Sequence, residues 1–187
     1  MNIGSREIKI LDVGSGNKEA NEGLFKNLVG ENPYRVTRCD IIERDGIDFL
    51  WDITQPPPKN QIRQYDIVTA VHVIEHISFH KTIEVLKNIL KPLKKGGILY
   101  IAVPSLEWAM EEVYHNRADY RVQLVLYGMQ NEEYQYHKAA FTVSTLRQLI
   151  DATKEAIVRD AFHTQFYIRY GKLEFNCLQN CFICEKL

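Results

Sequence analysis

The chain of 187 residues is 45% apolar and 25% charged, the balance of an ordinary globular protein with length enough for one sizeable core. Its formal net charge of -1 lacks the basic excess of a nucleic-acid-binding domain, so no nucleic acid is expected as a partner. The longest uncharged apolar run, residues 67–74, is far too short to span a bilayer, and no signal-like apolar run opens the chain; a cytoplasmic protein without a membrane partner is expected.

Strand and helix signals alternate along the chain. Residues 8–13 form an apolar run that ends at Gly14-Ser15-Gly16, a first strand and its turn. Residues 19–29 read as a helix with Leu24, Phe25 and Leu28 on one face. Strands follow at 34–40, 47–51 and 65–71. Residues 80–93 carry Ile83, Leu86, Leu90 and Leu93 at helical spacing, and Lys95-Gly96-Gly97 supplies the glycine expected after a helix end. The cluster Lys91, Lys94 and Lys95 fits cations near a helix C-terminus. A buried strand follows at 98–103. After Pro104 the alternation stops. Residues 105–143 are aromatic-rich and mixed, an insertion in place of a βα unit, with Trp108, Tyr114, Tyr120, Tyr127, Tyr134 and Tyr136 readable either as its core or as a pocket lining. Ser144 then caps a helix through Thr153 with Leu146, Leu149 and Ile150 facing inward. Strands at 156–162 and 180–185 close the chain without a helix between them, so that pair can be an antiparallel edge. The alternation predicts an α/β protein with a mostly parallel sheet and helices on both faces.

Ligands of open α/β sheets bind beyond the carboxyl ends of the strands. Gly14 and Gly16 leave the backbone room to approach a ligand, and Asp40 lies 24 residues beyond Gly16, where a carboxylate can accept both hydroxyls of a ribose. A nucleoside-containing ligand is therefore implied. A dinucleotide is disfavoured, because the third glycine of its fingerprint is replaced by Glu19, an anion beside a pyrophosphate. No Gly-Lys-Ser/Thr phosphate loop is present.

These segments resemble the class I S-adenosylmethionine (SAM)-dependent methyltransferases. Leu11-Asp12-Val13-Gly14-Ser15-Gly16 is similar to their first motif, Tyr65-Asp66-Ile67-Val68 through His72-Val73-Ile74-Glu75-His76 to their fourth-strand motif, and Leu90 through Leu99 to the segment leading into their fifth strand. Tyr127-Gly128-Met129-Gln130 and Tyr136-His137-Lys138 resemble a small bacterial subgroup met near polysaccharide synthesis genes. The resemblance implies a Rossmann-like, mostly parallel seven-stranded sheet with the last strand antiparallel, one domain over residues 1–187, and a cover on the acceptor side at 105–143. It implies SAM as cofactor: Gly14, Ser15 and Gly16 bordering the methionine and ribose, Asp12 supporting that loop, Asp40 on the ribose, Ile41 against the adenine, Asp52 and the Ile53 amide on the adenine edge, and His72 near the sulfonium.

The expected reaction is methyl transfer to a small-molecule or glycan acceptor. The fourth strand is not followed by an Asn-Pro-Pro-Tyr element of the kind that serves amines and nucleobases, which favours an oxygen acceptor. A hydroxyl must lose its proton near attack, which makes His137 and His72 the catalytic candidates, ahead of His115 and Tyr136. A non-catalytic SAM-binding scaffold of the same fold is the alternative. No metal is expected. His72 and His76 flank Glu75 without the His-Glu-x-x-His order of a metalloprotease. Cys177, Cys181 and Cys184 share the spacing of an iron–sulfur motif, yet Cys181 and Cys184 in one strand would point to opposite faces.

Overall fold

The computed structural model describes residues 6–16, 20–170 and 173–187. Glu19, on which the case against a dinucleotide rested, lies outside the described residues, as do Asn17 and Lys18. Seven strands form one sheet: β1 (Ile8–Val13), β2 (Tyr34–Asp40), β3 (Phe49–Leu50), β4 (Tyr65–Val71), β5 (Leu93–Pro104), β6 (Ala156–Tyr170) and β7 (Leu173–Lys186). Their order is β3-β2-β1-β4-β5-β7-β6. The first five strands are parallel, and β7 runs antiparallel to both β5 and β6. The strand order reverses between β1 and β4, the topological switch that opens a crevice at the carboxyl ends.

Period-two alternation decides which side chain meets which helix. Leu11 and Val13 of β1, Val68 and Ala70 of β4, and Leu99 and Ile101 of β5 face one side. There they pack on α2 (Thr82–Leu90) and α5 (Val143–Thr153) through Leu86, Ile89, Leu146 and Ile150. Ile10 and Ile67 face the other side and meet Phe25 and Val29 of α1 (Glu22–Val29). Helices therefore cover both faces, as the alternation predicted. Helices α3 (Leu106–Tyr114) and α4 (Tyr120–Tyr127) pack at the far end of β7, where Ala109, Val122 and Val125 surround Cys177. Among the described residues, no helix is long and apolar enough to cross a membrane.

Several boundaries differ from the sequence reading. The helix expected over 80–93 spans only Thr82–Leu90, and its buried positions include Val85 and Ile89, while Ile83 is exposed. Lys91 takes the C-cap, so Gly96 does not end the helix; with φ at 73° it lies inside β5, where the pairing with β4 shifts register between Leu93 and Ile98. Nor do the three lysines serve the helix carbonyls as a group. Lys94 pairs with Asp66 at 2.7 Å, and the end of α2 is served by Lys186, whose Nζ donates to Leu90 O at 2.7 Å and Leu93 O at 3.2 Å. The N-cap of α5 is Thr142, not Ser144: Thr142 Oγ1 accepts from the Thr145 amide, and Thr145 Oγ1 accepts from the Thr142 amide. The last two strands are much longer than their apolar alternation implied, forming a hairpin with register from Ala156↔Lys186 to Tyr170↔Leu173.

Candidate functional site

A cavity of about 320 Å³ opens at the carboxyl ends of β1, β2 and β4. Gly14, Gly16, Asp40, Ile41, Asp52, Ile53 and His72 all line it, so the structure assembles seven of the expected residues around one space. Asp12 and Ser15 are buried behind the loop and do not line it. Asp12 accepts from Thr69 Oγ1 at 2.7 Å and from Asn21 Nδ2 at 3.1 Å. Its burial raises the carboxyl above its ordinary range, and those hydrogen bonds pull part of the way back.

Two glycines serve different needs. A Cβ on Gly14 would sit 2.4 Å from Val73 Cγ2, so this position must be bare for the β1 and β4 ends to meet. A Cβ on Gly16 would meet no described atom within 4 Å, and φ at 57° is what the turn requires there. Asp40 is held by two amides: Oδ2 accepts from Gly16 N–H at 3.0 Å and Oδ1 from Ile42 N–H at 3.1 Å. Each oxygen keeps a second lone pair. Ile41 presents an apolar side chain 58% exposed at the cavity. Asp52 also performs the plain turn role, since Oδ1 accepts from the Thr54 amide and hydroxyl at 2.9 and 2.8 Å.

Val73, His76, Tyr134 and Lys138 also line it, together with Arg44, Trp51, Ile77 and Gln135, which sequence reasoning missed. Arg44 spans from the β2 loop to the insertion: its Nη1 is 4.0 Å from Asp40 Oδ2, its Nη2 donates to Tyr134 Oη at 3.4 Å, and its guanidinium lies 5.7 Å from the Tyr134 ring centre. Nothing in sequence spacing links positions 44 and 134. The insertion's aromatics divide: Trp108 packs on the cluster of Ala109, Val122 and Val125, and Phe141 is buried in the main core, whereas the tyrosines form neither a core nor a common pocket. Tyr114, Tyr120, Tyr127, Tyr134 and Tyr136 are all exposed, and only Tyr134 of them reaches this cavity.

A second cavity of about 340 Å³ adjoins the first, sharing His72, His76 and Gln135 with it. Pro104 of β5, Leu124, Gly128, Met129 and His137 of the insertion, and Phe166, Tyr167 and Ile168 of β6 complete its wall. His72 sits at the end of β4 with φ at 53°, a left-handed conformation that costs a non-glycine residue about 1 kcal/mol or more. Its Nε2 is 2.7 Å from Gln179 Oε1, and its ring meets Phe166 edge-on. An amide oxygen only accepts, so Nε2 carries the proton and Nδ1 keeps the lone pair. His137 is oriented the other way: Nδ1 donates to Val125 O at 2.8 Å, which leaves Nε2 as the acceptor. Burial pushes both imidazoles down to about 4. Neither His115 nor the C-terminal cysteines belong to this site. Cys177, Cys181 and Cys184 are buried thiols in three different apolar clusters.

The fold and this site define a Rossmann-like protein with two adjoining cavities beyond the β1–β4 switch. The chain matches the model of the methyltransferase domain family over residues 3–153, and it belongs to that family. Among solved structures it is similar to a SAM-dependent methyltransferase from Methanosarcina mazei, with 16% identity, a TM-score of 0.66 and coverage of 97% of this chain and 93% of that one. A SAM-dependent methyltransferase from Archaeoglobus fulgidus is similar at 16% identity and a TM-score of 0.57, covering 98% and 88%. So is the Burkholderia thailandensis 1,6-didemethyltoxoflavin-N1-methyltransferase, whose structure holds 1,6-didemethyltoxoflavin and S-adenosylhomocysteine, at 16% identity and a TM-score of 0.59, covering 97% and 72%. At such identities the likeness is one of fold. A search of curated proteins finds no match.

Proposed function

We propose that this methyltransferase moves a methyl group from SAM, bound in the first cavity, to an oxygen of a polar small molecule or glycan held in the second. The observation that carries the reading is the junction of the two cavities at His72 and His76, directly beyond the Gly14–Gly16 loop and Asp40. The residues fit the cofactor. Gly16 leaves space where a backbone must pass close, Asp40 offers two anchored carboxylate oxygens to a diol, Ile41 offers an apolar face to a purine, and Asp52 and Ile53 form its edge.

Bound SAM supplies an activated methyl group, so the protein's task is to align and desolvate. The chain acts as one methyltransferase domain, and residues 105–143 form its acceptor-side cover. Arg44 and Tyr134 close the cofactor side, while Leu124, Met129 and Phe166 exclude water on the acceptor side. His72 Nδ1 and His137 Nε2 are the ring nitrogens left to accept a hydrogen bond from an acceptor hydroxyl. An oxygen acceptor suits those neutral acceptor atoms.

Calorimetry with S-adenosylhomocysteine on wild type and Asp40→Ala tests the cofactor part. Losing a charge-assisted contact to the ribose should weaken binding by about 1.5–3 kcal/mol. Unchanged affinity in a folded variant removes Asp40 from the site. A wild type that binds the ligand yet methylates nothing in a metabolite extract with labelled SAM would favour the scaffold alternative.

A further inference from the structure

The reading above leaves one buried group without a task. Glu75 is 1% exposed, and among the described residues neither carboxylate oxygen has a hydrogen-bond partner from another side chain or backbone group. An unpartnered carboxylate in such a place is costly, and its retention calls for a compensating partner. Two imidazoles stand beside it. One ligand atom from each of Glu75, His76 and His137 can be chosen so that all three lie within 4.8 Å of one another.

The histidines are aimed as metal ligands are aimed. His76 Nδ1 is 3.1 Å from Tyr136 O, and His137 Nδ1 is 2.8 Å from Val125 O. A carbonyl only accepts, so both Nδ1 atoms carry protons and both Nε2 atoms present lone pairs. A metal-bound histidine usually donates its other ring N–H to a carbonyl or carboxylate in this way, which fixes the tautomer and the ring's orientation. The backbone builds the cluster deliberately. The Glu75 carbonyl accepts from the amides of Lys138 and Ala139 at 2.8 and 3.0 Å, which pins the His137 segment against the end of β4. Gly128 permits the approach: a Cβ there would stand 2.0 Å from Gln135 O and 2.9 Å from His137 Cδ2. The Tyr127-Gly128 and Tyr136-His137-Lys138 runs singled out in the sequence thus converge on one place.

We infer that Glu75, His76 and His137 form a site for a divalent first-row transition cation, set between the cofactor and acceptor cavities. Two neutral nitrogens and one carboxylate oxygen suit such an ion, and a three-ligand site leaves coordination positions open. His76 borders both cavities and His137 the second, so open positions there meet the acceptor space. The substrate class follows, and this part rests on the methyltransferase reading: an acceptor with two neighbouring oxygens, such as a vicinal diol or a hydroxy acid, which can chelate the ion beside the methyl donor. Ligands on one ion stand about 3–4 Å apart, so the cluster needs to contract by about 1 Å on binding. His72 is not among the groups close enough to share the ion; with His137 Nε2 on the ion, His72 Nδ1 is the ring nitrogen left to accept from the acceptor hydroxyl. The sequence reading expected no metal here, weighing only the His72/His76 pair. It had no means of bringing position 137 alongside.

Cobalt(II) titration of chelator-stripped, tag-free protein tests the site through its visible d–d absorption, without any need for activity. Wild type is expected to bind one equivalent, and Glu75→Gln and His137→Gln are each expected to weaken binding by about 100-fold or more. Glu75→Gln also controls for folding. Replacing an unpartnered acid by a neutral isostere should leave the metal-free melting temperature equal or higher, whereas a merely structural Glu75 would lose stability without any change in cobalt affinity. No saturable absorption in wild type, or equal cobalt affinity in wild type and both variants, overturns the inference. S-adenosylhomocysteine calorimetry on the same stripped protein reports the cofactor site separately, so failure of the metal site and failure of the methyltransferase reading are told apart.

Discussion

Asp66 shows how one side chain can hold three segments. Its Oδ1 accepts from Lys94 Nζ at 2.7 Å and Arg6 Nη2 at 2.8 Å, and its Oδ2 accepts from the Lys9 amide at 3.0 Å. Burial by itself would raise this carboxyl, but the Lys94 and Lys9 hydrogen bonds outweigh it and hold the group below its ordinary range. A depressed folded value means the stabilisation is present above the unfolded pKa near 3.9 and is lost as pH falls through the folded value. Asp66→Asn should therefore cost about 1–2 kcal/mol at pH 7, discounted for partial solvent exposure. Urea midpoints should show the gap between wild type and variant narrowing below about pH 4. A gap that is constant from neutral to acid pH would mean the charge contributes nothing.

At the scale of elements, the insertion and α5 are joined by a cap that sequence inspection misplaced by two residues. Thr142 and Thr145 exchange side-chain and amide hydrogen bonds in a reciprocal box. Glu107 of α3 also accepts from the Val143 amide, so the start of α5 is tied to the insertion. Thr142→Ala should destabilise the fold by about 1 kcal/mol, and Ser144→Ala should change stability by less than about 0.5 kcal/mol. Denaturant unfolding of the two variants checks this, and a larger loss in Ser144→Ala would contradict the observed cap. The β6–β7 hairpin is a second such case. Its far end supplies Phe166 and Ile168 to the second cavity, and its near end supplies Lys186 to the Leu90 and Leu93 carbonyls at the end of α2. Lys186→Met should cost about 1 kcal/mol through the lost charge-assisted contacts at that helix end, read as a lower urea midpoint.

For the whole molecule, the first cavity, where we propose that the cofactor binds, is walled by segments far apart in the chain: the β1 loop, the ends of β2 and β4, and Tyr134 and Lys138 of the insertion. A ligand bridging them binds the folded chain and not the unfolded one. S-adenosylhomocysteine at about 100 times its dissociation constant should add about 2.7 kcal/mol, a rise in Tm of about 5–10 °C for a chain of this size. NAD should give no comparable shift. The reverse pattern in a thermal melt would reject SAM as the cofactor and restore the dinucleotide reading.

The parallel core and its ligand edge were legible in the sequence because both are written locally. Apolar runs of strand length, each ending in Gly14, Asp40 or His72, follow from period-two burial and from the rule that α/β ligands sit beyond strand ends. Seven of the expected residues line one cavity for that reason. What the sequence left open depends on non-local pairing. The length of the final hairpin is set by strand-to-strand hydrogen bonds, which alternating hydrophobicity registers only where one face is buried. Lys186 reaches the end of α2, and Arg44 reaches Tyr134, only because the sheet brings distant segments together. The same holds for Glu75, His76 and His137. The residue types at positions 75, 76 and 137 were visible, but their convergence is a product of two amide hydrogen bonds to the Glu75 carbonyl and of a glycine at 128 that lets the chains approach. Spacing along a chain determines which face of an element a side chain takes; only tertiary packing decides which other side chain it meets there.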